Sequence, residues 1–311
     1  MDSYHAHGKL LLTGEYFILD GAVSLALPTR FGQRMDVLHQ DVSRMLHWKS
    51  LDMYGNNWLE GTWDPELGEW GYISNPEKGK FLTALLEYAC NEIGLDLSGL
   101  SVTSQLEFPQ DWGLGSSSTL VSLLAQWWRT DPFTLLRISF GGSGYDVVCA
   151  TAESPILYQL KGGVPKYEPV GFNPSFRDRL YFLHLNQKQD SREGIQYYRN
   201  LKEDKSPWVT EISDISRKLL RCEDFDEMEY LLMLHEAIVS RVLGLEKVKD
   251  KLFPDYWGAI KSLGAWGGDF VLISSSESEA ETRSYFAELG FETMIGYKDM
   301  VLQADGGNIR P

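Results

Sequence analysis

The sequence predicts an α+β protein of two domains, residues 1–175 and 176–311. Three observations carry that expectation. In the first third, short apolar stretches are broken by Gly, Asn, Asp and Pro, the pattern of antiparallel strands and their turns. The apolar spacing then changes twice to a helical repeat before residue 140. After Pro174 strands and helices begin afresh, as a second half with its own core. A chain of 311 residues, 43% of them hydrophobic, has enough apolar material for one large core or two ordinary ones.

The elements follow in order. Lys9-Leu10-Leu11-Leu12 and Ala22-Val23-Ser24-Leu25-Ala26-Leu27 flank a turn at Asp20-Gly21 and read as a hairpin. Between Arg34 and Trp70, short aromatic and β-branched stretches broken at Gly55-Asn56-Asn57 and Asp64-Pro65 read as further antiparallel strands. From Gly79 to Ile93, Phe81, Leu85, Tyr88 and Ala89 share a helical face, and a strand is expected over 100–106. Leu120, Leu123, Leu124, Trp127 and Trp128 then form a core-facing helical stripe, read as packing rather than as a ligand box. Asp131 ahead of Pro132 marks the start of a short helix ending at Ser139. In the second half, strands are expected at Leu180–Leu183, Phe270–Ile273 and Glu292–Val301. About three helices are expected between Ser191 and Ser262, and one near Glu277–Leu289.

Charge and composition exclude several functions. The net charge of −15 leaves no basic face for nucleic acid. No run approaches the ~20 apolar residues that span a bilayer, and Met1-Asp2-Ser3-Tyr4-His5 lacks the basic-then-apolar pattern of a secretory signal. Residence in the cytoplasm is the resulting expectation. Cys90, Cys149 and Cys222 are odd in number and far apart, so they read as buried or inert thiols of a reducing compartment. His5 and His7 alternate onto one strand face but have no third ligand nearby, a poor basis for a metal site.

The most specific feature is Pro109-Gln110-Asp111-Trp112-Gly113-Leu114-Gly115-Ser116-Ser117-Ser118, which runs straight into the amphipathic helix. Glycines let backbone N–H groups approach a ligand closely, serines cap the helix or offer hydroxyls, and the helix start carries a positive dipole end. The segment is an anion cradle by composition. It is neither a Gly-x4-Gly-Lys-[Ser/Thr] loop nor a Gly-x-Gly-x-x-Gly fingerprint. Taken alone, a serine-capped helix after a glycine turn explains it equally well.

Four segments together resemble one family. Pro-x3-Gly-Leu-Gly-Ser-Ser is similar to the second motif of the GHMP kinases, which include galactokinase, homoserine kinase, mevalonate kinase and phosphomevalonate kinase. His7-Gly8-Lys9-Leu10-Leu11-Leu12-Thr13-Gly14-Glu15-Tyr16 resembles the first motif, and Lys261-Ser262-Leu263-Gly264-Ala265-Trp266-Gly267-Gly268-Asp269 the third. Between them, Gly141-Gly142-Ser143-Gly144-Tyr145-Asp146 resembles the segment that carries the catalytic aspartate of mevalonate kinase-like members. The matches lie in order and span most of the chain.

The resemblance implies a two-domain fold, ribosomal protein S5 domain 2-like and then ferredoxin-like, and an ATP- and Mg²⁺-dependent transfer of the γ-phosphoryl group to a small hydroxyl or phosphate acceptor. Mevalonate and phosphomevalonate are the nearest analogues. Asp146 would be the catalytic base and Lys9 the cation beside it, lowering the acceptor hydroxyl's pKa. Gly113, Leu114, Gly115, Ser116, Ser117 and Ser118 would hold the nucleotide, with Ser117 also on the metal. Glu15 and Tyr16 would orient substrate or lysine, and Gly264, Gly267 and Gly268 would let backbone approach the phosphates or acceptor. Lys188, Ser191 and Arg192 are placed at the acceptor's anionic end, although a solvated charge cluster reads as well there.

The chain departs from the family pattern at three places. No glutamate lies between Thr119 and Asp146 to hold a metal, and Asp131, the one acid there, fits poorly. Tyr16 stands where mevalonate and galactose kinases tend to have histidine, closer to the phosphomevalonate kinase version. Trp266 and Asp269 add bulk and charge to the last motif, leaving ligand stacking and plain packing both open for the indole. Two competing readings follow: a non-catalytic nucleotide- or metabolite-binding regulator on the same fold, and an enzyme of the mevalonate diphosphate decarboxylase kind.

Overall fold

The structure, a computed structural model, describes residues 1–40, 43–187, 191–264, 266 and 268–303, with only the backbone of 191–193. Its contacts divide the chain into two compact units. One holds Met1–Gly8, Phe31–Gln110 and Gly115–Thr151; the other holds Lys9–Arg30, Asp111–Leu114 and Ala152–Pro311.

In the first unit the strands are β1 (Asp2–Leu11, entering from residue 2), β2 (Ser24–His39, from residue 31 on), β3 (Leu46–Leu51), β4 (Asn57–Asp64) and β5 (Glu69–Ile73), followed by α1 (Pro76–Tyr88) and β6 (Leu100–Leu106). Then come α2 (Ser116–Trp128), α3 (Pro132–Ser139) and α4 (Tyr145–Cys149). β2 pairs antiparallel with β6, Val37 facing Val102, and the order continues β6-β3-β4-β5. The β3–β6 pairing is parallel, which corrects the wholly antiparallel expectation for this stretch. β2 and β3, consecutive in sequence, are separated in the sheet by β6, which no local signal encodes. Alternate residues of β6 (Leu100, Val102, Ser104, Leu106) are buried, together with Trp48, Trp63 and Leu82, Leu85 and Leu86 of α1. The expected α2 stripe packs into this core through Leu120, Leu123, Leu124 and Trp128, with Trp127 half-buried. Asp131 caps α3 by accepting the backbone N–H groups of Phe133 and Thr134.

In the second unit, Ser24–Ala26 at the start of β2 pair with β7 (Ile156–Lys161), which turns at Gly162-Gly163 into β8 (Val164–Pro169). These two strands were not anticipated, although Gly-Gly between apolar stretches is a recognised hairpin signal. The remainder is β9 (Leu180–His184), α5 (Ser191–Asn200), α6 (Ser206–Arg221), α7 (Phe225–Leu243), α8 (Val248–Leu252), β10 (Ile260–Ser262), β11 (Phe270–Ser274), α9 (Glu279–Glu288), β12 (Met294–Gly296) and α10 (Tyr297–Met300). Among the described residues four helices lie between β9 and β10, where about three were expected. The last strand is only three residues long, because Tyr297–Met300 coil into a helical turn. The antiparallel order β10-β11-β9-β12 is that of a ferredoxin-like βαββαβ unit. Its core gathers Leu183, Phe253, Val271, Ile273 and Phe286. All three cysteines are free, Cys149 and Cys222 buried and Cys90 half-buried. Among the described residues no helix is long and apolar enough to cross a membrane.

Candidate functional site

The glycine-serine loop bends sharply at two places. Gly113 has φ +64° and Gly115 φ +92°, left-handed values that side chains resist. Gly115, not a serine, occupies the capping position of α2, and no side chain caps the helix there. This corrects the expectation of a serine cap: among the described residues no capping side chain accepts the first-turn N–H groups of α2. Ser118 is buried and turns its hydroxyl back to the Gly115 carbonyl at 2.8 Å. Ser116 is half-buried and Ser117 exposed. Behind them Thr119 Oγ1 donates to Gln33 Oε1 at 2.6 Å, fixing the helix start to β2 within the first unit.

Asp146 lies in the same unit, in the first turn of α4 behind Gly144 (φ +86°). It is half-buried, and Oδ1 accepts the Val147 N–H at 3.0 Å. α4 packs against α2, where Ser122 Oγ donates to the Val147 carbonyl at 3.4 Å. The serine turn and Asp146 therefore belong to one body.

The other part of the loop, Asp111–Leu114, lies with Lys9 in the second unit. Lys9 grips it twice: its backbone N–H donates to the Leu114 carbonyl at 2.9 Å, and Nζ donates to the Gly113 carbonyl at 2.9 Å. Trp112 sets its ring edge-on to Phe270 at 5.4 Å, and the Asp111 carbonyl lies 3.4 Å from His184 Nε2. Gly113 touches the Asp269 carboxylate so closely that a Cβ would stand 2.1 Å from Oδ2. Asp269 thus borders the loop, itself at φ +47°.

Glu15 and Tyr16 are also in the second unit, and both are buried. Glu15 meets Lys261 Nζ at 2.5 Å and lies 3.3 Å from His235 Nε2. Glu236 completes the group by accepting Ser262 Oγ at 2.7 Å and Trp266 Nε1 at 3.2 Å. Tyr16 adopts φ +62°, stacks on Tyr198 at 5.9 Å and accepts the Trp266 N–H on its hydroxyl at 3.2 Å. Trp266 is 3% exposed, with its indole N–H on a carboxylate. Sequence reasoning gave no role to His235, Glu236 or Lys261. Their signal was a lysine flanked by Ala259, Ile260 and Leu263, and a His-Glu pair inside an apolar helix; buried charge demands a buried partner.

Gly264 has φ +63° with open space where a Cβ would point, and Gly268 is buried. Ser191 and Arg192 open α5, described in backbone only. Lys188 and Gly267 lie outside the described residues.

No sequence-family model matches the chain, and no curated protein matches it by sequence. Solved structures do match. The phosphomevalonate kinase of Streptococcus pneumoniae, in complex with phosphomevalonate and AMPPNP, is 17% identical with a TM-score of 0.69, over 95% of this chain and 100% of that one. The mevalonate kinase of Methanococcus jannaschii is 14% identical with a TM-score of 0.69, over 92% and 95%. The mevalonate diphosphate decarboxylase of Staphylococcus aureus is 14% identical with a TM-score of 0.61, over 97% and 96%. At such identities the likeness is one of architecture: this chain has the two-domain α+β fold found in the GHMP kinases.

Proposed function

We propose that the protein is an ATP-dependent small-molecule kinase that transfers the γ-phosphoryl group to a hydroxyl or phosphate acceptor of the mevalonate or phosphomevalonate type. The observation that carries this reading is the start of α2, where a left-handed Gly115 replaces a capping side chain and Asp146 sits on the helix packed alongside. The fold shared with nucleotide-binding kinases supports it. On this reading the chain divides near residue 175, ahead of the βαββαβ unit that begins at Leu180.

Phosphoryl transfer asks the protein mainly to position its reactants and to stabilise charge. The N–H groups and hydroxyls of Ser116 and Ser117 receive the polyphosphate. Lys9, which already fastens Gly113, supplies the cation, and Asp146 accepts the acceptor's proton. Mg²⁺ would be held by the exposed Ser117 hydroxyl together with phosphate oxygens and water, a donor set suited to a hard ion that keeps part of its hydration, and would neutralise phosphate charge. Asp131 is committed to capping α3.

The test is ADP release over a panel of small alcohols and phosphate esters, comparing the protein with Asp146→Asn. We expect turnover on at least one acceptor, lowered about 10²–10⁴-fold in the variant while nucleotide affinity stays the same. Background rates on every acceptor, equal to those of Asp146→Asn, would leave a protein that binds nucleotide without transferring phosphate.

A further inference from the structure

The second unit buries a lysine, two glutamates and a histidine in one network. The side chains of Glu15, Lys261 and His235 are wholly buried, and that of Glu236 is 2% exposed. Their donors and acceptors can be matched one by one. Glu236 accepts Ser262 Oγ on Oε1, and on Oε2 it accepts Ser262 N and Trp266 Nε1, each at 3.2 Å. Lys261 Nζ stands 3.9 Å from the same Oε2. Surrounded by donors, Glu236 is served as an anion. Lys261 itself donates to Glu15 Oε1 and to the Ser262 carbonyl.

The other end of Glu15 is different. Gly14 N–H donates to His235 Nε2 at 2.9 Å. A ring nitrogen that accepts carries no hydrogen, so His235 is neutral with its proton on Nδ1. Glu15 Oε2 lies 3.3 Å from that same Nε2 and receives no donor among the described residues. Were Glu15 ionised, a buried carboxylate oxygen beside an accepting ring nitrogen would go unserved. Reversing the ring tautomer does not help, because an Nε2–H would then point at the Gly14 N–H. Nδ1 has no partner among the described residues in either tautomer and does not decide the matter.

We infer that Glu15 is a protonated, uncharged positioning residue, its Oε2 hydroxyl sharing the His235 Nε2 acceptor with the Gly14 N–H and its carbonyl turned to Lys261, so that one buried lysine cation is balanced by one carboxylate, Glu236. The electrostatics agree. Burial pushes the Glu15 carboxyl up to about 7 against the pull of Lys261, and burial holds His235 well below the ordinary imidazole range. Burial also raises Glu236, opposed by Lys261 and by the groups that donate to it. The titratable groups facing Glu15 are His235 and Glu236 from α7, Lys261 from β10, and its neighbour Tyr16. Two turns depend on this arrangement. His235 holds the Gly14 N–H, while Tyr16 and Glu236 hold the backbone and indole of Trp266.

Glu15→Gln tests the inference without reference to catalysis, since an amide copies a carboxylic acid: carbonyl to Lys261, NH₂ to His235. A carboxyl whose folded pKa is raised lends its stability below the ordinary carboxylate pKa and loses it as the pH climbs through about 7. The wild type should therefore melt close to Glu15→Gln near about pH 5 and increasingly below it toward about pH 8. Glu236→Gln should melt lower than the wild type throughout. In the infrared, a protonated-carboxyl band near about pH 6 should vanish in Glu15→Gln and persist in Glu236→Gln. A Glu15→Gln deficit at neutral pH that shrinks toward acid would overturn the inference. If Glu15→Gln does not fold, the wild type decides: absence of that band, or a His235 ring carrying its proton on Nε2 by ¹⁵N resonance, overturns it.

Discussion

Two lysines of the second unit make the instructive comparison. Lys9 is half-buried, and among the described residues its ammonium donates to one backbone carbonyl, that of Gly113. Lys261 has no exposed side-chain surface and meets two carboxylates and a carbonyl. An ammonium has three hydrogens. Lys9 uses one to hold a loop and keeps donor capacity for an incoming anion, whereas Lys261 is spent within the protein. On the proposed function the same residue type serves chemistry in one place and architecture in the other, and burial with charged partners is what separates the two.

Replacement by methionine should break that comparison open. Lys261→Met leaves Glu236 as an uncompensated buried charge, and loss of one member of a buried pair costs about 3–5 kcal/mol. Lys9→Met removes one hydrogen bond at a partly solvated site and should cost no more than about 1.5 kcal/mol. In activity the order reverses: Lys9→Met should lower kcat by about 10²–10³-fold. Denaturant unfolding and ADP release on the two variants check both halves. Equal destabilisation would erase the distinction.

Gly113, which Lys9 holds, gives a smaller effect. Alanine there must adopt φ +64°, at about 1–2 kcal/mol, and its Cβ would drive into the Asp269 carboxylate. Gly113→Ala should therefore weaken nucleotide binding as well as stability. Adding Asp269→Ala should recover most of the part due to the clash, since only the residue-269 Cβ, 2.9 Å away, then remains, but not the part due to the backbone. Recovery of both would place the whole cost in the contact and none in the turn.

What the sequence disclosed and what it withheld divide along similar lines. Local signals were legible. The period of Leu120, Leu123, Leu124 and Trp128 placed α2, alternation placed β6 over Leu100–Leu106, and Asp131-Pro132 placed the start of α3, because each is written within a dozen residues. Pairings between distant segments were not. The parallel register of β3 on β6 and the Glu15–Lys261 pair, 246 residues apart, depend on tertiary packing that no window contains. The candidate site shows the same split. The glycine-serine loop and the aspartate behind Gly144 were visible as motifs. The burial of Glu15 was not, since a motif specifies a residue type and says nothing of whether that side chain faces ligand or core.

The contact between Tyr16 and α5 offers the finest test of that core. A Cβ on Gly194 would stand 2.4 Å from the Tyr16 hydroxyl, so α5 approaches Tyr16 through a glycine. Overpacking costs about 1–3 kcal/mol, while alanine in a helix gains about 1 kcal/mol over glycine. Gly194→Ala should therefore come out destabilising by up to about 2 kcal/mol. Tyr16→Phe alone should cost about 1–3 kcal/mol, because the buried Trp266 N–H loses its acceptor. Loss of that hydroxyl lifts the closest contact, while the ring carbons Cε1 and Cζ stay 2.9 Å from the new methyl. In the Tyr16→Phe background Gly194→Ala should therefore be less destabilising, though still unfavourable, a non-additivity that a double-mutant cycle on unfolding free energies resolves directly. Strict additivity would mean that Gly194 serves the helix itself and owes nothing to the tyrosine.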